Sequence, residues 1–258
     1  VAVTDNPIVI SPFNSFHEVN FISLNDSAAL RKELSTGEYA AVIIEAIQGV
    51  AGIYESQQNF MRELRKITKK CGVTLIVDEV QSGYGRTGLF FAHQHFGIKA
   101  DIVTVAKGMA NGFPMGATLI SPSFTPIAGM LGTTFGGNHL ACAAAIAVLE
   151  IIEREQLIAH AKEVGGYLKD RLLEIKERYG EEVIIDVRGR ALMLAVELSE
   201  KFAPVRNILL LEEKIFTGGA AGNTIRLLPP LTITHNQIDY FIEKFILAIE
   251  KFKKRSEE

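Results

Sequence analysis

Short apolar runs alternate with stretches of helical spacing through the first half of the chain. Ala40 to Ile44, Val73 to Val77, Ile102 to Ala106 and Ala117 to Ser121 are brief, rich in β-branched residues and apolar on both faces. That pattern predicts strands buried on both sides rather than strands with one face in water. Between the first two, Phe60, Leu64, Ile67 and Cys71 recur at helical spacing and predict a helix over 57–71. Buried strands separated by helices predict an α/β fold with a mostly parallel sheet covered on both faces. Residues 1–37 show no clear period, and Asp5-Asn6-Pro7 and Ser11-Pro12 are turn signals.

From about Asn138 the pattern changes. Leu140 to Ile152 and Leu157 to Tyr179 read as two long helices. Strands at 183–187 and 191–198, a helix near 207–215 and a strand at 224–228 follow. A last helix sets Ile238, Phe241, Phe245, Ile249 and Phe252 on one face. This order predicts a smaller C-terminal α+β domain. The boundary is placed near residue 150, giving domains 1–150 and 151–258.

Composition narrows the function classes. Of 258 residues, 48% are hydrophobic and 22% charged, the balance of an ordinary globular chain. The formal net charge is −3 and the basic residues are dispersed, so no nucleic-acid surface is expected. The run Lys251, Lys253, Lys254, Arg255 reads as a solvated helix end. Cys71 and Cys142 sit in apolar, helix-like contexts and read as two buried thiols, which fits a reducing, cytoplasmic setting. No apolar run is long enough to span a membrane, and no signal peptide opens the chain. His93 and His95 alternate as strand ligands would, but no third ligand stands nearby, so no metal site is expected.

In open parallel sheets ligands bind beyond the strand ends. The polar residues that end the predicted strands, Glu45, Asp78 and Lys107, are therefore the first candidates for chemistry. Each has a plainer reading as a cap or loop anchor, and Glu45 is read as structural or supporting. Arg86, in Gly85-Arg86-Thr87-Gly88, is read as fixing its loop. Val73 to Glu79 also looks like the strand and acidic pair of a P-loop ATPase. However, no G-x-x-x-x-G-K-[ST] occurs in these residues.

The stretch LIVDEVQSGYGRTGLFFAHQHFGIKADIVTVAKGMANGFPMGA, residues 75–117, resembles the signature of the class III pyridoxal-phosphate-dependent aminotransferases. The resemblance continues through GTTFGGNHLACAAA (132–145), VRGRALMLAVEL (187–198) and TIRLLPPLTIT (224–234). It implies the large domain of the aspartate-aminotransferase-like fold (fold type I), in part, followed by the small C-terminal domain. Pyridoxal 5'-phosphate needs a lysine amine for its aldehyde and a carboxylate beside its pyridine nitrogen. The resemblance assigns the amine to Lys107, next to Gly108, which leaves room for a flat ring. It assigns the carboxylate to Asp78. Val80 would pack on the ring, and Gln81 would approach its phenolic oxygen. Thr134 would reach a partner subunit's cofactor phosphate, and Thr133 would lie beside the substrate. Arg226 would grip a substrate carboxylate with its planar fork.

Within the family, Gly-Thr-Thr-Phe-Gly-Gly-Asn and the compact tail are similar to the acetylornithine type, with a succinylornithine user equally compatible. Amino transfer to 2-oxoglutarate, arginine biosynthesis and a homodimer are what that implies. A 4-aminobutyrate or ornithine donor is the runner-up. Two positions depart from the pattern: Val50 stands where a glutamate is usual, and His139 where proline is common. Val1 is not an initiator Met, and the N-terminal segment that cradles the cofactor phosphate in relatives has no counterpart here. The chain is therefore read as N-terminally truncated, and a non-catalytic remnant is the competing reading.

Overall fold

Val, Ile and Leu crowd the central members of a first set of short strands and bury one face of them, while the last member is largely exposed. In chain order these are β1 (Ala2–Val3), β2 (Phe21–Ile22), helix α1 (Ser27–Leu34), β3 (Ala41–Ile44), helix α2 (Gln58–Cys71), β4 (Thr74–Asp78), β5 (Ile102–Val105), β6 (Ala117–Ile120) and helix α3 (His139–Arg154). The computed structural model describes residues 1–4, 19–125, 127–130 and 132–257. The turn signals at Asp5-Asn6-Pro7 and Ser11-Pro12 lie outside the described residues.

The strands form one sheet in the order β2-β1-β3-β4-β5-β6. All neighbours are parallel except β5 with β6, which run antiparallel at one edge. The fold is therefore α/β with a mostly parallel sheet, as the strand pattern predicts. The two faces differ. Val42, Ile44, Leu75, Val77, Val103 and Val105 point to a buried face, while Ile43, Ile76, Asp78 and Thr104 lie on a half-open one.

Helix α2 buries Phe60, Met61, Leu64 and Thr68 and ends at Gly72, whose φ of 67° is the left-handed cap that glycine adopts freely. Arg65 on α2 forks onto Asp101 at 2.6 and 2.7 Å. Asp101 also accepts the Leu75 backbone N–H at 2.8 Å, which ties the helix to the start of β4 and β5. Burial opposes the Asp101 charge, but Arg65 and that N–H hold its carboxyl below the usual carboxylate range.

Three readings of the sequence change here. Within residues 1–37, where the sequence predicts no element, the described residues form β1, β2 and α1. Asp26 caps α1 by accepting from Ala29 N at 2.9 Å, and Leu30 and Leu34 anchor that helix. Cys71 is exposed and Cys142 half-buried rather than both buried: Cys71 follows the apolar spacing but is the last residue of α2, past the buried turns, and Cys142 lies beside rather than among the buried residues of α3. The basic run at the end of the chain is only partly a solvated helix end, since Lys251 and Arg255 hold acidic partners described below.

Residues group into two units by internal contact: Val1–Gln48, Glu55–Gly85 and Leu89–Gln156, then Gly49–Tyr54, Arg86–Gly88 and Leu157–Glu258. The second contains α4 (Leu157–Tyr179), β7 (Ile184–Arg190), β8 (Met193–Leu198), α5 (Val205–Leu211), β9 (Gly218–Gly219), β10 (Thr224–Leu227) and α6 (His235–Glu257). Its sheet runs β9-β10-β8-β7, wholly antiparallel. The helices bury Leu168, Leu172, Leu209, Phe245 and Ile249 against Leu194, Val196 and Ile225. Gly165 lets α4 close on the β7–β8 turn, where a Cβ would overlap the Ala191 backbone.

Short segments from earlier in the chain are held in this unit by arginines. Arg188 donates to Gly52 O at 2.7 Å, lies 4.1 Å over the Tyr54 ring, and pairs with Glu197 and Asp186. Arg86 donates to the carbonyls of Pro229 and Leu192, and burial lowers its guanidinium to about 10.

Glu212, just past α5, takes Arg255 through two bonds of 2.7 and 3.0 Å and Lys251 at 3.3 Å. These cations, Arg255 first, hold its carboxyl at about 2 against the ordinary 4.5. Because the folded value is depressed, the pairing stabilises above pH 4.5 and is lost as pH falls toward 2. Glu212→Gln should therefore shrink the drop in Tm between about pH 7 and about pH 3, measured by thermal unfolding. Gly165→Ala should cost roughly 1–3 kcal/mol in urea unfolding, the range for overpacking.

Candidate active site

Asp78 is the last residue of β4, and Lys107 follows the end of β5 by two residues. The two strands are parallel neighbours with Asp78 opposite Thr104, so carboxylate and amine lie beyond the same edge of the sheet. Glu45 stands one residue past β3, level with Asp78 by the Ile44–Val77 pairing.

Lys107 opens a single 3-10 turn, Lys107–Ala110, with φ at +45°. A left-handed conformation costs a residue with a Cβ about 1–2 kcal/mol, and such strain gathers at functional positions. Lys107 is exposed, and beside it a Cβ placed on Gly108 would lie in ordinary van der Waals contact with Tyr84 Cβ, at 3.8 Å. Helix α3 packs against this turn.

Asp78 is oriented locally: its Oδ1 accepts the Val80 N–H at 2.8 Å. Val80 and Gln81 follow half-buried in the turn. Neighbouring strand residues face opposite ways, so Glu79 points into the core and is 1% exposed. Its carboxylate accepts from Ser82 Oγ at 2.6 Å, Ala92 N at 3.0 Å and His93 N at 2.8 Å, and pairs with His93 Nδ1 at 2.8 Å. Glu79 thus fastens the Gly-rich loop after β4 to the turn at 92–96. Reading the sequence by motif missed this residue, although strand alternation was signal enough to separate it from Asp78. His93 is a partner of that carboxylate, and among the described residues no cluster of His, Cys, Asp and Glu is arranged to hold a metal.

Thr133 and Thr134 are exposed in the segment that leads into α3. A Cβ at Gly136 would collide with Thr133 Cγ2. Asn138 caps α3 by accepting from Ala141 N at 3.0 Å. His139 is the first helical residue, where a proline is also tolerated because the N–H there needs no helical acceptor.

Arg226 lies on β10 in the second unit, opposite Ala195 of β8 and Gly218 of β9. Its Nε donates to Gly219 O at 2.7 Å, and it borders an apolar cavity of about 460 Å³ with Thr217, Leu227, Pro229, Ile238 and Phe241. Asp78, Val80, Gln81, Lys107, Thr133 and Thr134 therefore share the first unit, while Arg226 belongs to the second.

Residues 10–249 match the family described as aminotransferase class-III. The chain is a class III aminotransferase by family. It is 42% identical over 224 residues to an acetylornithine aminotransferase of Aquifex aeolicus, covering 85% of this chain and 56% of that one. It is 41% identical to an Arabidopsis thaliana alanine–glyoxylate aminotransferase 2 homologue, covering 84% and 48%. An ornithine aminotransferase structure from Plasmodium yoelii superposes with a TM-score of 0.85 at 29% identity, over 97% of this chain and 64% of that one. The chain spans about half the length of the curated relatives it matches. The mostly parallel sheet and its helices are thus the aminotransferase fold, present in part.

Glu79→Ala would leave the Ser82, Ala92 and His93 donors without their acceptor. A loss of roughly 3 kcal/mol or more is expected in urea unfolding, the scale for breaking buried bonds to a charged group.

Proposed function

We propose that this class III aminotransferase chain serves transamination between N-acetylornithine, or N-succinylornithine, and 2-oxoglutarate in arginine biosynthesis. The division at residue 150 would separate a cofactor-bearing part from a substrate-gripping one. The observation that carries the reading is the amine of Lys107 and the carboxylate of Asp78 beyond one edge of adjacent parallel strands. These residues fit pyridoxal phosphate: an exposed amine beside an exposed glycine, and an oriented carboxylate.

Bound there, the cofactor would supply an electron sink that makes a substrate α-proton removable. The chain's own groups would do the rest. Asp78 would keep the pyridine nitrogen protonated by holding a negative charge against it. Lys107 would anchor the cofactor and then move the proton at the substrate α-carbon as a free amine. Val80 would exclude water from one ring face, and Gln81 would donate to the phenolic oxygen. Thr134 would hold the phosphate of a partner subunit in a homodimer, with Thr133 beside the substrate. Arg226 would fix each substrate carboxylate in turn, so that donor and acceptor occupy one site in succession.

The acetylornithine assignment is supported by the Aquifex aeolicus relative. Ornithine itself is the second reading, favoured by the Plasmodium yoelii superposition. Assaying acetylornithine, succinylornithine, ornithine and 4-aminobutyrate side by side with 2-oxoglutarate decides between them, and the acylated donors should turn over fastest.

Lys107→Ala should abolish transamination while far-UV circular dichroism and Tm stay near the parent values. Activity retained in that variant would sink the mechanism. Arg226→Ala should raise the KM for 2-oxoglutarate by roughly tenfold or more, with a much smaller effect on Tm. An unchanged KM would remove Arg226 from the site.

A further inference from the structure

Two complementary polar atoms at the edge that carries Asp78 are left without partners. Thr104 sits on β5, and its Oγ1 is buried with no hydrogen bond among the described residues. Asp78 offers the counterpart: Oδ1 is taken by the Val80 N–H, and among the described residues Oδ2 accepts nothing. The two residues are register partners on adjacent parallel strands. Register partners project to the same face, with their backbones about 4.8 Å apart. Burial agrees, since Asp78 and Thr104 share the half-open face while Val77, Val103 and Val105 share the buried one.

The hydroxyl moves among staggered positions by rotation about χ1, and the carboxylate turns about χ2. A buried hydroxyl with no partner is unfavourable. If Thr104 served only as a β-branched strand residue, valine would fill the position at least as well.

We infer that Thr104 is a positioning residue for Asp78: its hydroxyl donates to Oδ2 while the Val80 N–H holds Oδ1, fixing the carboxylate for the cofactor's pyridine nitrogen. A carboxylate held at both oxygens meets its partner in one orientation, and bonds to an ionised acceptor are the strong ones. The inference rests on the proposed role of Asp78 and goes beyond it by naming what orients that group.

The test compares Thr104→Val, Thr104→Ser, Asp78→Ala and the Thr104→Val/Asp78→Ala double variant with the parent chain. The readouts are pyridoxal phosphate affinity, by absorbance titration, and Tm of the cofactor-free chain. Thr104→Val should weaken affinity by about tenfold or more, as expected for one bond to a charged acceptor, and Thr104→Ser by less than about twofold. In the Asp78→Ala background, Thr104→Val should change affinity by less than about twofold.

Parent-like affinity in Thr104→Val, with weakened binding in Asp78→Ala, would overturn the role of Thr104 and leave that of Asp78 standing. Parent-like affinity in Asp78→Ala overturns the reading of Asp78 and this inference with it. If no form binds enough cofactor to titrate, the Tm cycle decides. Additive shifts for the two substitutions overturn the contact, and non-additive shifts support it.

Discussion

Parallel pairing of β4 with β5 holds Val77 opposite Val103 and Asp78 opposite Thr104. Strand side chains alternate, so a slip of one residue would exchange the two faces. Asp78 would then turn into the core and Glu79 would face the open side. The valines that line the buried face make that slip costly, because each would be traded for a polar or half-exposed neighbour. Core packing therefore decides which of two adjacent carboxylates is free for chemistry.

Two charged residues reinforce that register from opposite ends of the strands. At the start, Asp101 joins Arg65 of α2 to the Leu75 N–H. At the far end, Glu79 gathers donors from the loop and the turn that follow β4. Both carboxylates are saturated with partners, which is what makes a buried or half-buried charge tolerable. Between these fixed points the residues past the strand ends are free to adopt unusual geometry, including the left-handed Lys107.

Strands β3 to β6 were legible because apolar, mostly β-branched runs leave few alternatives, whereas the two-residue β1 and β2 were not, and α2 and α4 were legible from their apolar spacing. The chemistry at Asp78 and Lys107 was legible only in part. Their positions at strand ends followed from the pattern, but their assignment to a cofactor came from resemblance. What the sequence hid has physical causes. Helix α1 is short and its period is weak, so only the Asp26 cap and the Leu30–Leu34 pair betray it. Glu79 reads by motif as half of an acidic pair, and only its burial reveals it as a clamp. Thr104 resembles any β-branched strand residue until the register places it beside Asp78. The exposure of Cys71 depends on how far along α2 the fold covers the helix, and that of Cys142 on which part of α3 is covered, neither of which composition encodes.

The interleaving of the two units bears on the order in which a growing chain can fold. Gly49–Tyr54 and Arg86–Gly88 emerge early, yet they belong with residues made after Gln156. The Arg188 bond to Gly52 spans 136 residues, and the Arg86 bond to Pro229 spans 143. During vectorial synthesis the first unit can assemble its sheet, but these two loops must wait on the ribosome-distal side without their anchors. Contacts of such separation raise contact order and slow the final step. Neither unit can be cut out as one continuous piece, so dissection into independent fragments would sever the second unit from residues it requires.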